Sequence, residues 1–206
     1  MQANAAQSSP LALRHSQRWA ACPGFPVPFG LAALAFPWLF SSAWPVVALA
    51  CAAVVGPRLL ATRGTQWARR AARLGRGAQN DIWFAGGVCL AYLWSATEPL
   101  AYRIAILVLM LAPTAACLIR ERLVSSACTS GSAGKSAAGS LAFFVTALAI
   151  ASTALIAGAG LRPRDALAAA LLLATVTTGI EASMDEGLDN LFVPIGALVA
   201  LEFAAP

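Results

Sequence analysis

Apolar positions gather into seven long runs separated by short polar stretches. They are Gly24–Ser42, Ala43–Ala61, Asp81–Ala96, Tyr102–Ile119, Leu141–Leu161, Ala166–Ile180 and Leu191–Ala205. A helix needs roughly 20 predominantly apolar residues to cross a bilayer, and most of the runs approach that length. The third, sixth and seventh are the short ones. The first two are nearly continuous, with Pro45 at the expected turn. No alternating ten-residue pattern supports a membrane barrel. Helices remain as the way to satisfy the backbone in hydrocarbon. Several runs are dense in Ala and Gly, which suits close helix–helix approach in lipid. The pattern predicts an all-α fold, a polytopic integral membrane helical bundle of about seven transmembrane helices. Residues 1–23 form a short tail and 24–206 a single membrane domain.

Composition agrees. Of 206 residues, 59% are hydrophobic and 11% charged, whereas a soluble domain carries about a quarter charged residues. The formal charge of +5 would suggest nucleic acid in a soluble protein. In a chain this apolar it reads instead as a basic cytoplasmic rim, with no nucleic-acid partner. Seven spans put Arg14, Arg18, Arg58, Arg63, Arg69, Arg70, Arg73, Arg76, Arg120, Arg122 and Lys135 on one side. Arg103, Arg162 and Arg164 fall on the other, so eleven of the 14 cations share a face. The positive-inside rule makes that face cytoplasmic. The N-terminus is then inside, the C-terminus outside, and the location the inner membrane if the source is bacterial. The opening residues lack the apolar core of a signal peptide, which makes 1–23 a cytoplasmic tail. The connection 64–77 can form a short basic helix with Trp67, Ala71 and Leu74 on one face, suited to anionic lipid. Five scattered cysteines, Cys22, Cys51, Cys89, Cys117 and Cys128, show no spacing that marks a disulfide framework or zinc site.

Two cytoplasmic connections carry candidate chemistry. Residues 125–140, SSACTSGSAGKSAAGS, are Gly, Ser and Ala with one lysine. Small consecutive residues leave backbone N–H groups free to surround phosphate oxygens, and Lys135 adds a mobile positive charge. A P-loop requires glycine where Thr129 stands, so that reading fails. Residues 181–190, EASMDEGLDN, place four acids within nine positions. Oxygen ligands beside a phosphate loop suit Mg²⁺. Lysine and a divalent ion on one face are what phosphoryl or nucleotidyl transfer requires. The only histidine, His15, lies in the tail, so no Ser-His-Asp or Cys-His arrangement exists.

These residues resemble a known family. Gly134-Lys135-Ser136-x-x-Gly139-Ser140-Leu-Ala-Phe-Phe is similar to the GKSxEGSLAxF signature of the integral-membrane, CTP-dependent lipid kinases, which include dolichol, phytol, farnesol and diacylglycerol kinases. Glu181, Asp189-Asn190 and Pro194 resemble that family's Glu-x6-Asp-Asp-Asn-Leu-x-Val-Pro segment. Asn80-Asp-Ile-Trp-Phe and Phe36-Pro-Trp-Leu-Phe resemble two further segments, in the same order. The resemblance implies phosphate transfer from CTP to an isoprenoid alcohol or diacylglycerol, with Mg²⁺ as cofactor. Catalysis would rest on Lys135, Glu181 and Asp189. Gly134, Lys135, Ser136, Gly139 and Ser140 would hold the nucleotide; Glu181, Asp189 and Asn190 would hold the metal. The partners implied are a lipid alcohol, a nucleotide and membrane lipids. Two alternatives stand beside this one. CTP:phosphatidate cytidylyltransferase chemistry uses the same nucleotide and makes CDP-diacylglycerol. A catalytically degenerate scaffold fits the places where the family has carboxylates and this chain has Pro113, Ala138 and Leu188.

Overall fold

In the computed structural model, the described residues are 26–40, 42, 44–62, 78–95, 98–126, 136–184 and 187–204. They form helices α1 (Pro26–Leu34), α2 (Phe36–Leu39), α3 (Trp44–Thr62), α4 (Ala78–Trp94), α5 (Pro99–Ser126), α6 (Ala137–Ala159), α7 (Pro163–Ser183) and α8 (Leu188–Ala204). No strand occurs among the described residues. The all-helical expectation therefore stands. The tail and the basic connection 64–77 lie outside the described residues.

Among the described residues three helices are long and apolar enough to cross a membrane: Pro99–Leu123, Ala137–Ala159 and Pro163–Ser183. The first extends beyond its apolar run, because Arg120, Glu121 and Arg122 are good helix formers and carry α5 onward. At 28 residues it reaches about 42 Å, the thickness of a bilayer with its headgroups. Helix α4 contains the shorter apolar segment Ile82–Trp94, and α8 has 17 residues.

The first predicted run does not make one continuous helix. It divides at Ala35 into α1, of nine residues, and α2, of four. Pro37, in the first turn of α2, has no N–H to give the carbonyl four residues back, and its ring crowds that carbonyl. The carbonyl in question is that of Ala33, and the Tyr102 hydroxyl donates to it at 2.9 Å. Tyr92 donates to the Phe40 carbonyl at 2.7 Å in the same way. Tyr102 thus satisfies the carbonyl that the proline orphans, and Tyr92 the one that ends α2.

Packing follows the small residues. Helix α6 buries Gly139, Phe143, Ala147, Ala151 and Leu155, a row at every fourth position that lies along one face. Helix α7 turns Ala166, Ala169, Ala170, Leu173 and Ala174 inward. Small side chains let the backbones approach closely, which is how helices associate where lipid is as apolar as leucine. Large apolar side chains such as Leu141, Val145, Leu167 and Leu171 point outward and are exposed, where acyl chains would meet them. Helices α5, α6, α7 and α8 each pack on the next, and α8 also packs on α4 and α5. Helix α4 runs parallel to α8, since Gly87 meets Asn190 and the Trp94 indole donates to Glu202 at 2.6 Å.

Candidate functional site

Because successive helices reverse direction, the end of α5, the start of α6, the end of α7 and the start of α8 share one end of the bundle. Glu181 lies there in the last turn of α7 and is only 3% exposed. A carboxylate so placed is costly unless paired. Two partners hold it. The Ser140 hydroxyl donates to its Oε2 at 3.1 Å, and the Arg120 guanidinium stands 3.6 Å from its Oε1.

Arg120 reaches Glu181 across α6, and Gly139 makes room for it. A Cβ at that position would lie 2.9 Å from Arg120 Nε and 3.0 Å from Cγ. Arg120 also anchors on its own helix, its Nε donating to the Ala116 carbonyl at 3.4 Å. Its side chain is 25% exposed, so the cluster opens toward solvent on the arginine side. Ser136 caps α6, accepting from the Gly139 N–H at 3.2 Å. The structure therefore gathers Ser136, Gly139, Ser140 and Glu181 around an arginine. In the sequence Arg120 counts only as one more cytoplasmic cation. The signal that could have singled it out is its place at the edge of an apolar run, facing a later acid and a later glycine.

Asp189 and Asn190 stand at the same end but in a different setting. Gly187 takes φ 105°, the left-handed region that glycine adopts freely, and so turns the chain into α8. Asp189 Oδ1 accepts from the N–H groups of Gly187 at 2.9 Å and Asn190 at 3.0 Å. An acid in the first turn also suits the helix dipole. Gly196 packs against Ile180, so Asp189, seven residues earlier, stands about two turns nearer the end of the bundle. Gly134, Lys135, Asp185 and Glu186 lie outside the described residues.

Among the described residues no three His, Cys, Asp or Glu side chains group as metal ligands. Glu181 is already balanced by Arg120, and one oxygen of Asp189 is engaged by backbone. These residues do not by themselves fit a resident Mg²⁺. One cysteine departs from expectation: Cys117 is disulfide-bonded, while Cys51 and Cys89 are free. No family model, curated protein or solved structure matches the chain.

Proposed function

We propose that the chain is a lipid-alcohol kinase-like protein of about seven spans, its N-terminus cytoplasmic. It transfers the γ-phosphate of CTP, taken as the Mg²⁺ complex, to an isoprenoid alcohol or diacylglycerol. The observation that carries this reading is the buried Glu181, held by Ser140 and Arg120 beside the start of α6. A helix N-terminus presents free N–H groups and positive potential to phosphate. The Gly134-Lys135 pair immediately precedes it in sequence.

In the transfer, an O–P bond forms from the acceptor hydroxyl to the γ-phosphorus and the β–γ bridging P–O bond breaks. CDP leaves, and the hydroxyl proton passes to a carboxylate of the site. Lys135, with the backbone of Gly134 and Ser136, stabilises charge on the phosphates, and the Gly139 N–H and Ser140 hydroxyl would leave Ser136 and Glu181 to join them. Glu181, Asp189 and Asn190 are the residues that would hold the ion the donor brings, and that ion would neutralise charge on the phosphates. Arg120 joins them as a cation that phosphate can draw from Glu181.

Lys135→Ala tests the reading. CTP consumption by the purified variant is expected to fall about 100-fold, with insertion and thermal unfolding unchanged. Full activity would reduce Lys135 to a cytoplasmic charge. The ion pair itself favours one second reading, a catalytically inert scaffold in which Arg120 and Glu181 only join α5 to α7. In that case neither Lys135→Ala nor Glu181→Gln alters anything that depends on nucleotide.

A further inference from the structure

The opposite end of the bundle holds a second cation, in surroundings that suit an anion. Arg103 lies in the first turns of α5, and its Nε is buried without a hydrogen-bond partner. It is 17 residues from Arg120, roughly 25 Å along the helix. A cation near a helix N-terminus opposes the macrodipole, and a buried donor without an acceptor costs free energy. Arg120, at the far end of the same helix, has Glu181 as its ion-pair partner. Neither Glu98 nor Asp165 pairs with Arg103. The neighbouring tyrosine hydroxyls are already committed to the carbonyls of Ala33 and Phe40.

What Arg103 does have is an aromatic face. Its guanidinium carbon stands 4.4 Å from the centroid of the Trp38 ring, an attraction that orients the planar group and leaves its edge for another partner. Trp38 itself is 71% exposed, and Trp44 is 81% exposed. Leu39 is exposed beside them. Behind this rim, Phe36, Tyr92 and Tyr102 stack edge to face, with centroids 6.4 and 5.6 Å apart. An exposed tryptophan packed beside the start of the spanning helix α5 belongs at the headgroup level of a bilayer. A guanidinium matches phosphate oxygens in bidentate geometry.

We propose that Arg103 and Trp38 form a binding site for the phosphate of an anionic phospholipid on the membrane face opposite Glu181. The phosphate pairs with the guanidinium that Trp38 orients and offsets the unfavourable charge at the start of α5. The acyl chains then lie along the apolar rim of Trp38, Leu39 and Trp44. Lipid, rather than a free anion, is indicated because the arginine is flanked by exposed apolar surface.

The test is lipid retention by the purified full-length chain. Native mass spectrometry follows it in micelles containing equal phosphatidylglycerol and phosphatidylcholine. The wild type is expected to retain phosphatidylglycerol about five-fold over phosphatidylcholine. Arg103→Gln removes the preference. Trp38→Leu, at an exposed position, reduces it without disturbing the fold and decides the matter if Arg103→Gln does not fold. Arg164→Gln, exposed at the same end, leaves the preference unchanged. Undiminished preference in Arg103→Gln or Trp38→Leu overturns the site, and so does an equal loss in Arg164→Gln. Displacement of the lipid by millimolar inorganic phosphate overturns its assignment to a lipid.

Discussion

Arg120→Met is expected to destabilise the bundle by about 3 kcal/mol, because it leaves Glu181 buried and charged with its cation removed. Methionine keeps the length and apolar stem of the side chain, so packing changes little. The 25% exposure of Arg120 allows some water to reach the remaining carboxylate, which keeps the loss at the lower end for a broken buried pair. The second substitution, Glu181→Gln, should recover most of that loss, since the amide oxygen still accepts from Ser140 and carries no charge. Thermal unfolding of the four variants in detergent gives the coupling directly. If the double variant is as unstable as the sum of the singles, the two side chains do not interact.

Gly87→Ala is expected to cost about 3 kcal/mol as well, through contact rather than charge. A Cβ at Gly87 would collide with the Asn190 carbonyl oxygen and stand 3.1 Å from Pro194 Cγ. The clash is with backbone, so no rotamer relieves it and α4 must move away from α8. Asp189 and Asn190 lie at that contact, so the start of α8 shifts with it. Gly179→Ala is the control: nothing lies within 4 Å of its Cβ position. Alanine there gains roughly 0.5–1 kcal/mol of helix propensity. Comparable losses in both variants would contradict the close approach of α4 and α8.

Much of the architecture could be read from the chain because apolar runs and polar breaks are local signals. The runs at 102–119, 141–161 and 166–180 became the three long apolar helices, each with ends shifted by capping and by charged residues that extend a helix past the hydrocarbon. The break at Ala35 was less legible. A proline near the end of a run is tolerated or not according to whether another group can take the carbonyl it orphans, and here that group is Tyr102, far along the chain. The site shows the same division. Ser136, Gly139, Ser140 and Glu181 stand out as motif residues and converge at one end of the bundle. Arg120 does not, since its role depends on the vacancy beside Gly139 and on the register of α5 against α7. Both are properties of packing between helices. Arg103 was legible only as a cation on the sparsely charged face; its burial and its tryptophan appear once α2 folds back onto α5.

The proposal that the Glu181 end handles phosphate is tested most directly by product analysis of the purified protein. It is incubated with CTP, Mg²⁺ and a panel of isoprenoid alcohols, diacylglycerol and phosphatidate. The account predicts CDP and a lipid phosphate in equal amounts, formed with an alcohol acceptor and lost in Lys135→Ala. Pyrophosphate with a CDP-lipid would transfer the site to cytidylyl chemistry, and CTP left intact with every acceptor would contradict the account.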